Sequence, residues 1–187
     1  MYVDGFEKLW KMHPDKDVDL CAMPIAPLIN LAKRKGKELF YITFDASALP
    51  DKKLLEDMSA LEDIVMIGYP NGIWDNKNNK PIFRKGITAT DVIFDYCGRK
   101  EFVIDAACFP GSSGSPVIIF NQGMYTDKYG NTYAGASRIR LLGILYAGPQ
   151  AIAQGEVHTV KIPTIDKNIA ISRIPNNLGY VIKAERI

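Results

Sequence analysis

Histidine is scarce in this 187-residue chain, with only His13 and His158, and cysteine stops at Cys21, Cys97 and Cys108. No spacing among these five residues has the pattern of a zinc site, and the sequence implies no other metal or cofactor. The cysteines are odd in number and each lies within an apolar or strand-like run. Three buried thiols fit a reducing compartment better than a disulfide framework, and cytoplasm is the expected location. Long hydrophobic runs are missing too: none approaches the roughly 18 residues of a membrane span. Met1 to Trp10 mixes acids with apolar residues and has nothing of a secretory signal. Nor is there an excess of one charge, since Lys+Arg 23 against Asp+Glu 21 leaves +2, and the charges are scattered. A nucleic-acid partner would want a basic stripe, so that class is excluded.

What remains is the composition of a globular protein, 47% hydrophobic and 24% charged, with strand signals throughout. Runs rich in Val, Ile, Phe and Tyr recur between turn residues: 19–25, 39–44, 64–69, 82–89, 92–97 and 102–107. They continue at 116–120, 139–148, 158–162, 168–174 and 179–184. Many short strands punctuated by Gly, Pro, Asn and Asp predict an all-β sandwich or barrel. Helical spacing of Leu54, Leu55, Met58 and Leu61 predicts one helix over 52–61. A second short one is expected over 26–34. Polar loops are expected at 71–81 and 121–137. A boundary near residue 60 separates residues 1–60, with too few strands for a barrel, from residues 61–187, with enough to close one.

The most informative stretch runs from Phe102 to Ile119. An apolar strand enters a turn built from Pro110, Gly111, Ser112, Ser113, Gly114, Ser115 and Pro116, and a second apolar strand leaves it. Acyl transfer to a serine needs a hydroxyl on a rigid turn, two N–H groups aimed at the developing oxyanion, and a base. Glycines flanking a serine serve the first two needs, because the backbone there takes unusual φ/ψ and approaches a substrate closely. The bland alternative is an ordinary Gly/Ser-rich hairpin. The strand–turn–helix elbow Gly-x-Ser-x-Gly of the α/β-hydrolases is excluded, because Ser115 replaces its second glycine and no helix pattern follows.

The loop from Gly111 to Pro116 resembles the nucleophile loop of the chymotrypsin/trypsin-like serine protease family, usually Gly-Asp-Ser-Gly-Gly-Pro. Asp105 to Pro110, and Met66 to Pro70 with Gly86 to Ala89, resemble the family's bacterial members; Leu142 to Gly148 resembles its pocket-lining strand and Asn177 to Ile182 the usual ending of such chains. The resemblance implies a two-barrel antiparallel chymotrypsin-like fold whose first barrel, in residues 1–60, is incomplete. It implies Ser113 as nucleophile, with the N–H groups of Gly111 and Ser113 as oxyanion hole. Ala107 and Cys108 would line the primary pocket, while Tyr146, Ala147 and Gly148 would bind the backbone of a polypeptide substrate. With no acid where a trypsin-type aspartate would stand, a small or apolar side chain is the expected preference. Ser112 replaces the aspartate that animal members pair with a new N-terminus, so activation by that route is not expected.

The same resemblance places the triad carboxylate at the start of an apolar strand, where Asp19 precedes Leu20; Asp17 is the second choice, and a solvated acidic turn the bland one. The family's histidine lies well ahead of that acid. His13 stands too close to Asp19 to match and reads as a surface residue; His158 opens a strand and reads as structural. Two expectations follow. The chain is an N-terminally truncated serine endopeptidase, inactive alone for want of the histidine. Alternatively, it is a non-catalytic pseudo-protease or peptide-binding module.

Overall fold

The computed structural model describes residues 5–156 and 169–187. Two helices are present, α1 (Ala26–Arg34) and α2 (Lys52–Asp57), the second capped by the Asp51 carboxylate accepting from the Leu54 N–H. The strands are β1 (Lys11–Met12), β2 (Cys21–Ala22), β3 (Asp63–Gly68), β4 (Ile82–Thr88), β5 (Glu101–Asp105) and β6 (Pro116–Asn121). They continue with β7 (Met124–Thr126), β8 (Thr132–Ala134), β9 (Arg138–Ala147), β10 (Gln150–Glu156), β11 (Ile169–Pro175) and β12 (Leu178–Lys183). The protein is mostly β, as the strand signals predict. Among the described residues no helix is long and apolar enough to cross a membrane.

Six strands close into an antiparallel barrel in the order β12-β5-β4-β3-β6-β9, with β9 returning to β12. Closure removes the sheet edges that a six-stranded open sheet would expose. Alternate residues of the strands turn inward. Ile64 and Met66 of β3, Phe102 and Ile104 of β5, Val117 and Ile119 of β6, and Val181 of β12 form one fully buried cluster. Leu142 and Leu145 of β9 join it although they are an odd number of residues apart. Bulges explain this. β9 pairs Gly143 with Val117 but Leu141 with Ile118, and it pairs Ala147 with Tyr180 but Leu145 with Val181. Leu142 and Tyr146 are the extra residues, and each resets which face its neighbours meet.

Outside the barrel, β1 and β2 form a two-residue ladder, β7 pairs with β8, and β10 pairs with β11. Several expected elements differ. The run 19–25 yields only the two residues of β2, and 39–44 forms no strand: its apolar side chains find no neighbouring ladder and stay exposed. The run 92–97 forms no strand but passes through turns into a short 3-10 turn at Tyr96–Gly98, with Cys97 in the left-handed region. The predicted helix over 52–61 ends at Asp57. The expected loop 121–137 contains β7 and β8, held by stacked Tyr125 and Tyr133. The predicted strand 158–162, and His158 with it, lies outside the described residues.

Candidate active site

The loop between β5 and β6 is shaped by its hydrogen bonds and by what lies beneath it. The Ser112 N–H donates to the Phe109 carbonyl and the Ser115 N–H to the Ser112 carbonyl, so the chain turns tightly twice. The Gly114 N–H donates to the Leu145 carbonyl and the Leu145 N–H to the Ser115 carbonyl, which ties the loop to β9. Gly111 has φ 85°, and a Cβ there would stand 2.9 Å from the Tyr69 carbonyl oxygen, so glycine is required on both counts. Asn71 holds the next corner, its N–H donating to the Pro110 carbonyl. Ser112 and Ser115 are buried under the turn, and Ser113 is exposed at its tip.

Ser115 needs a partner residue that the sequence alone did not mark. A Cβ on Gly68 of β3 would stand 2.0 Å from the Ser115 hydroxyl oxygen, so the two positions pack against each other. The Ser113 hydroxyl donates to the Tyr146 carbonyl at 3.0 Å. Among the described residues, the N–H groups of Gly111 and Ser113 donate to no protein acceptor. An N–H left free on an exposed turn is ready to serve an incoming anionic or carbonyl oxygen.

Two hollows meet at Ser113. The smaller, about 270 Å³, is walled by Cys108, Phe109, Leu145, Ala147 and Gly148, with Gln150 at its rim and no charged side chain in its lining. A Cβ on Gly148 would stand 2.7 Å from the Leu178 carbonyl oxygen, so this wall stays bare. Ala107 is outside that lining; its carbonyl accepts from Arg84 at 2.7 Å, and the same guanidinium lies 5.0 Å from the Phe109 ring centre. Burial pushes the Cys108 thiol up to about 11, against a smaller opposing pull from Arg84, so the wall is neutral at ordinary pH.

The larger hollow, about 840 Å³, is a mostly apolar groove between the β1–β2 ladder and the end of β9. Trp10, Met12, Leu20, Ile144 and Tyr146 contribute its apolar walls. Asp19 and His13 line it as well, in company with Ser113. Asp17 is outside its lining, its N–H donating to the Asp15 carboxylate. His13 is part-buried at this groove, and its N–H donates to the Leu20 carbonyl, which closes residues 13–20 into a hairpin.

The ring of His13 is engaged elsewhere, however. Its Nδ1 lies 3.0 Å from the Asp15 N–H, which points at it, and 3.2 Å from the Asp15 carbonyl oxygen. The contact from the Asp15 N–H suits the tautomer with a lone pair on Nδ1 and the proton on Nε2. A base for Ser113 needs the reverse, with Nδ1–H on a carboxylate and a lone pair on Nε2. Asp15 is itself fixed, accepting from the Asp17 N–H and from Arg186 at 2.6 Å; these bonds hold its carboxyl below the usual range. Among the described residues, no group of three His, Cys, Asp or Glu side chains could hold a metal ion. Comparisons with protein-family models, with curated proteins and with solved structures return no match for this chain.

Proposed function

We propose that this chain carries the nucleophile barrel of a chymotrypsin/trypsin-like serine endopeptidase, with Ser113 as the attacking group. In this reading the β3–β12 barrel is the second barrel of the two-barrel fold, and the β1–β2 hairpin with Asp19 stands where the first would be. One observation carries the proposal: an exposed serine hydroxyl on a rigid loop, flanked by two N–H groups without acceptors, where two hollows meet. The Ser113 oxygen would attack the scissile carbonyl and pass its proton to a base. The carbonyl oxygen would become an oxyanion held by the Gly111 and Ser113 N–H groups. Collapse breaks the C–N bond and releases the amine with a proton, leaving an ester on Ser113 that water then hydrolyses.

The substrate is a polypeptide laid along Tyr146, Ala147 and Gly148. The uncharged 270 Å³ hollow fits a small or apolar side chain at the cut. The apolar groove fits a neighbouring bulky one. The His13 ring supports the second reading, a peptide-binding module without turnover, because its Nδ1 is spent on Asp15. Asp19, which lines the same groove as Ser113, would orient the imidazole of a catalytic histidine, and in this reading His13 does not present one to Ser113.

A fluorophosphonate probe separates the two. Attack by the Ser113 oxygen forms an O–P bond and expels fluoride, with the proton going to a base. Peptide hydrolysis and labelling by the chain alone are expected to be slow. Added imidazole should speed labelling at Ser113, and Ser113→Ala should abolish it. Labelling that is the same in Ser113→Ala, or that imidazole leaves unchanged, counts against the nucleophile.

A further inference from the structure

Tyr146 occupies an unusual place. It is the extra residue of the β9 bulge opposite β12, where Ala147 pairs with Tyr180 and Leu145 with Val181. A bulged residue is left out of the ladder, which frees its carbonyl and re-aims its side chain. Both consequences are visible. The carbonyl accepts from the Ser113 hydroxyl at 3.0 Å. The side chain crosses the outer face of β12, passing Tyr180 at 6.4 Å between ring centres, and its hydroxyl donates to Glu101 of β5 at 3.0 Å. Glu101 is buried and is fixed on its other side by Arg99 at 2.9 Å.

The extra residue of a bulge lacks the ladder bonds that fix its neighbours. A carbonyl meant to hold a hydroxyl therefore needs an independent tether. From this geometry we infer that Glu101 and the Tyr146 phenol are positioning residues for Ser113: they lock the β9 bulge so that the Tyr146 carbonyl holds the nucleophile in one rotamer. The inference rests on the proposed role of Ser113. The charge of Glu101 matters less than its acceptor oxygen, since the bond it receives is from a neutral phenol. Burial, with that bond second, pushes the phenol up to about 12, so the tether stays intact across the working range of a peptidase.

The test resolves labelling by the fluorophosphonate, in imidazole buffer, into an affinity and a maximal rate. Tyr146→Phe keeps the ring in the groove and removes only the tether. It should lower the maximal rate about tenfold while leaving the affinity within about twofold. Glu101→Ala should behave like Tyr146→Phe, and Glu101→Gln, which keeps an acceptor oxygen, should recover most of the loss. A purely structural role would lower the melting temperature of these variants without separating rate from affinity. If wild type is labelled at Ser113 and Tyr146→Phe is labelled at the same maximal rate, this inference fails and the nucleophile stands. If folded wild type is not labelled at Ser113 at all, the nucleophile and the tether both fall.

Discussion

Cys108 and Ser113 lie in the same loop, yet their surroundings give them opposite chemistry. The hydroxyl is exposed and open to an electrophile; the thiol is half-buried and pushed up to about 11. Cys21 and Cys97, expected to be buried by their apolar runs, are instead exposed and free, because 19–25 keeps only two strand residues and 92–97 forms a turn. Iodoacetamide at about pH 8 should therefore modify Cys21 and Cys97 first, with Cys108 gaining only as pH rises toward its own titration. Peptide mass spectrometry along a pH series reads this directly, and early modification of Cys108 would contradict the burial. Away from the site, Arg138 and Glu62 form a buried pair at 2.6 Å, with Asn121 and the Tyr125 ring completing the guanidinium's contacts. Glu62→Ala strands a buried charge and should cost roughly 3–5 kcal/mol in denaturant unfolding.

Asp95 supplies the pH-dependent counterpart. Its carboxyl is held below the usual range by Lys183 first and by Lys100 second. A depressed carboxylate contributes stability that is present above its unfolded value and is lost as pH falls through its folded one. Asp95→Asn should thus be less stable than wild type near neutrality. The gap should close below about pH 4. Melting temperatures across that range test the sign; a gap that widens in acid would refute it.

At the scale of elements, the packing of β3 against the nucleophile loop has the most direct consequence. Gly68→Ala would place a methyl about 2.0 Å from the Ser115 hydroxyl oxygen, which must rotate or move away. The expected cost is about 1–3 kcal/mol, with a loss of Ser113 labelling larger than the stability change explains. Residues 39–44 matter for another reason. Phe40 and Ile42 are about four-fifths exposed in a segment of strong β propensity that pairs with nothing in the described structure. Such segments promote edge-to-edge association. Phe40→Lys with Ile42→Lys should reduce concentration-dependent self-association in sedimentation experiments.

Those residues also mark what local reading can deliver. The barrel strands were legible because each carries its own apolar pattern and is bounded by turn residues. The run 39–44 has the same pattern but no partner, and a strand exists only in a ladder. β7 and β8 were missed for the converse reason: they are short and polar, and their stability comes from the Tyr125–Tyr133 stack and from Asp127 gathering the N–H groups of Tyr129 and Asn131.

For the molecule as a whole, the loop from Gly111 to Pro116 could be read locally, since its glycines, serines and prolines lie together in sequence. What surrounds Ser113 could not. His13, Asp19 and Tyr146 reach one groove only through the hairpin of residues 13–20 and the closure of the barrel. The tie between Gly68 and Ser115, and that between Tyr146 and Glu101, are set by strand register and a bulge, which no short motif encodes. The occupied Nδ1 of His13 depends on a single backbone N–H.

A site of this kind is built to bind a tetrahedral adduct, and a peptidyl boronic acid forms one with no leaving group to expel. A boronate with a small apolar side chain beside the boron should be added to the chain and followed by boron NMR. The signal is expected to move from trigonal to tetrahedral as the Ser113 oxygen bonds to boron and its proton passes to the buffer, and Ser113→Ala should abolish the change. Boron that stays trigonal on the folded wild-type chain, or that turns tetrahedral equally on Ser113→Ala, would contradict a nucleophile and oxyanion hole at this loop.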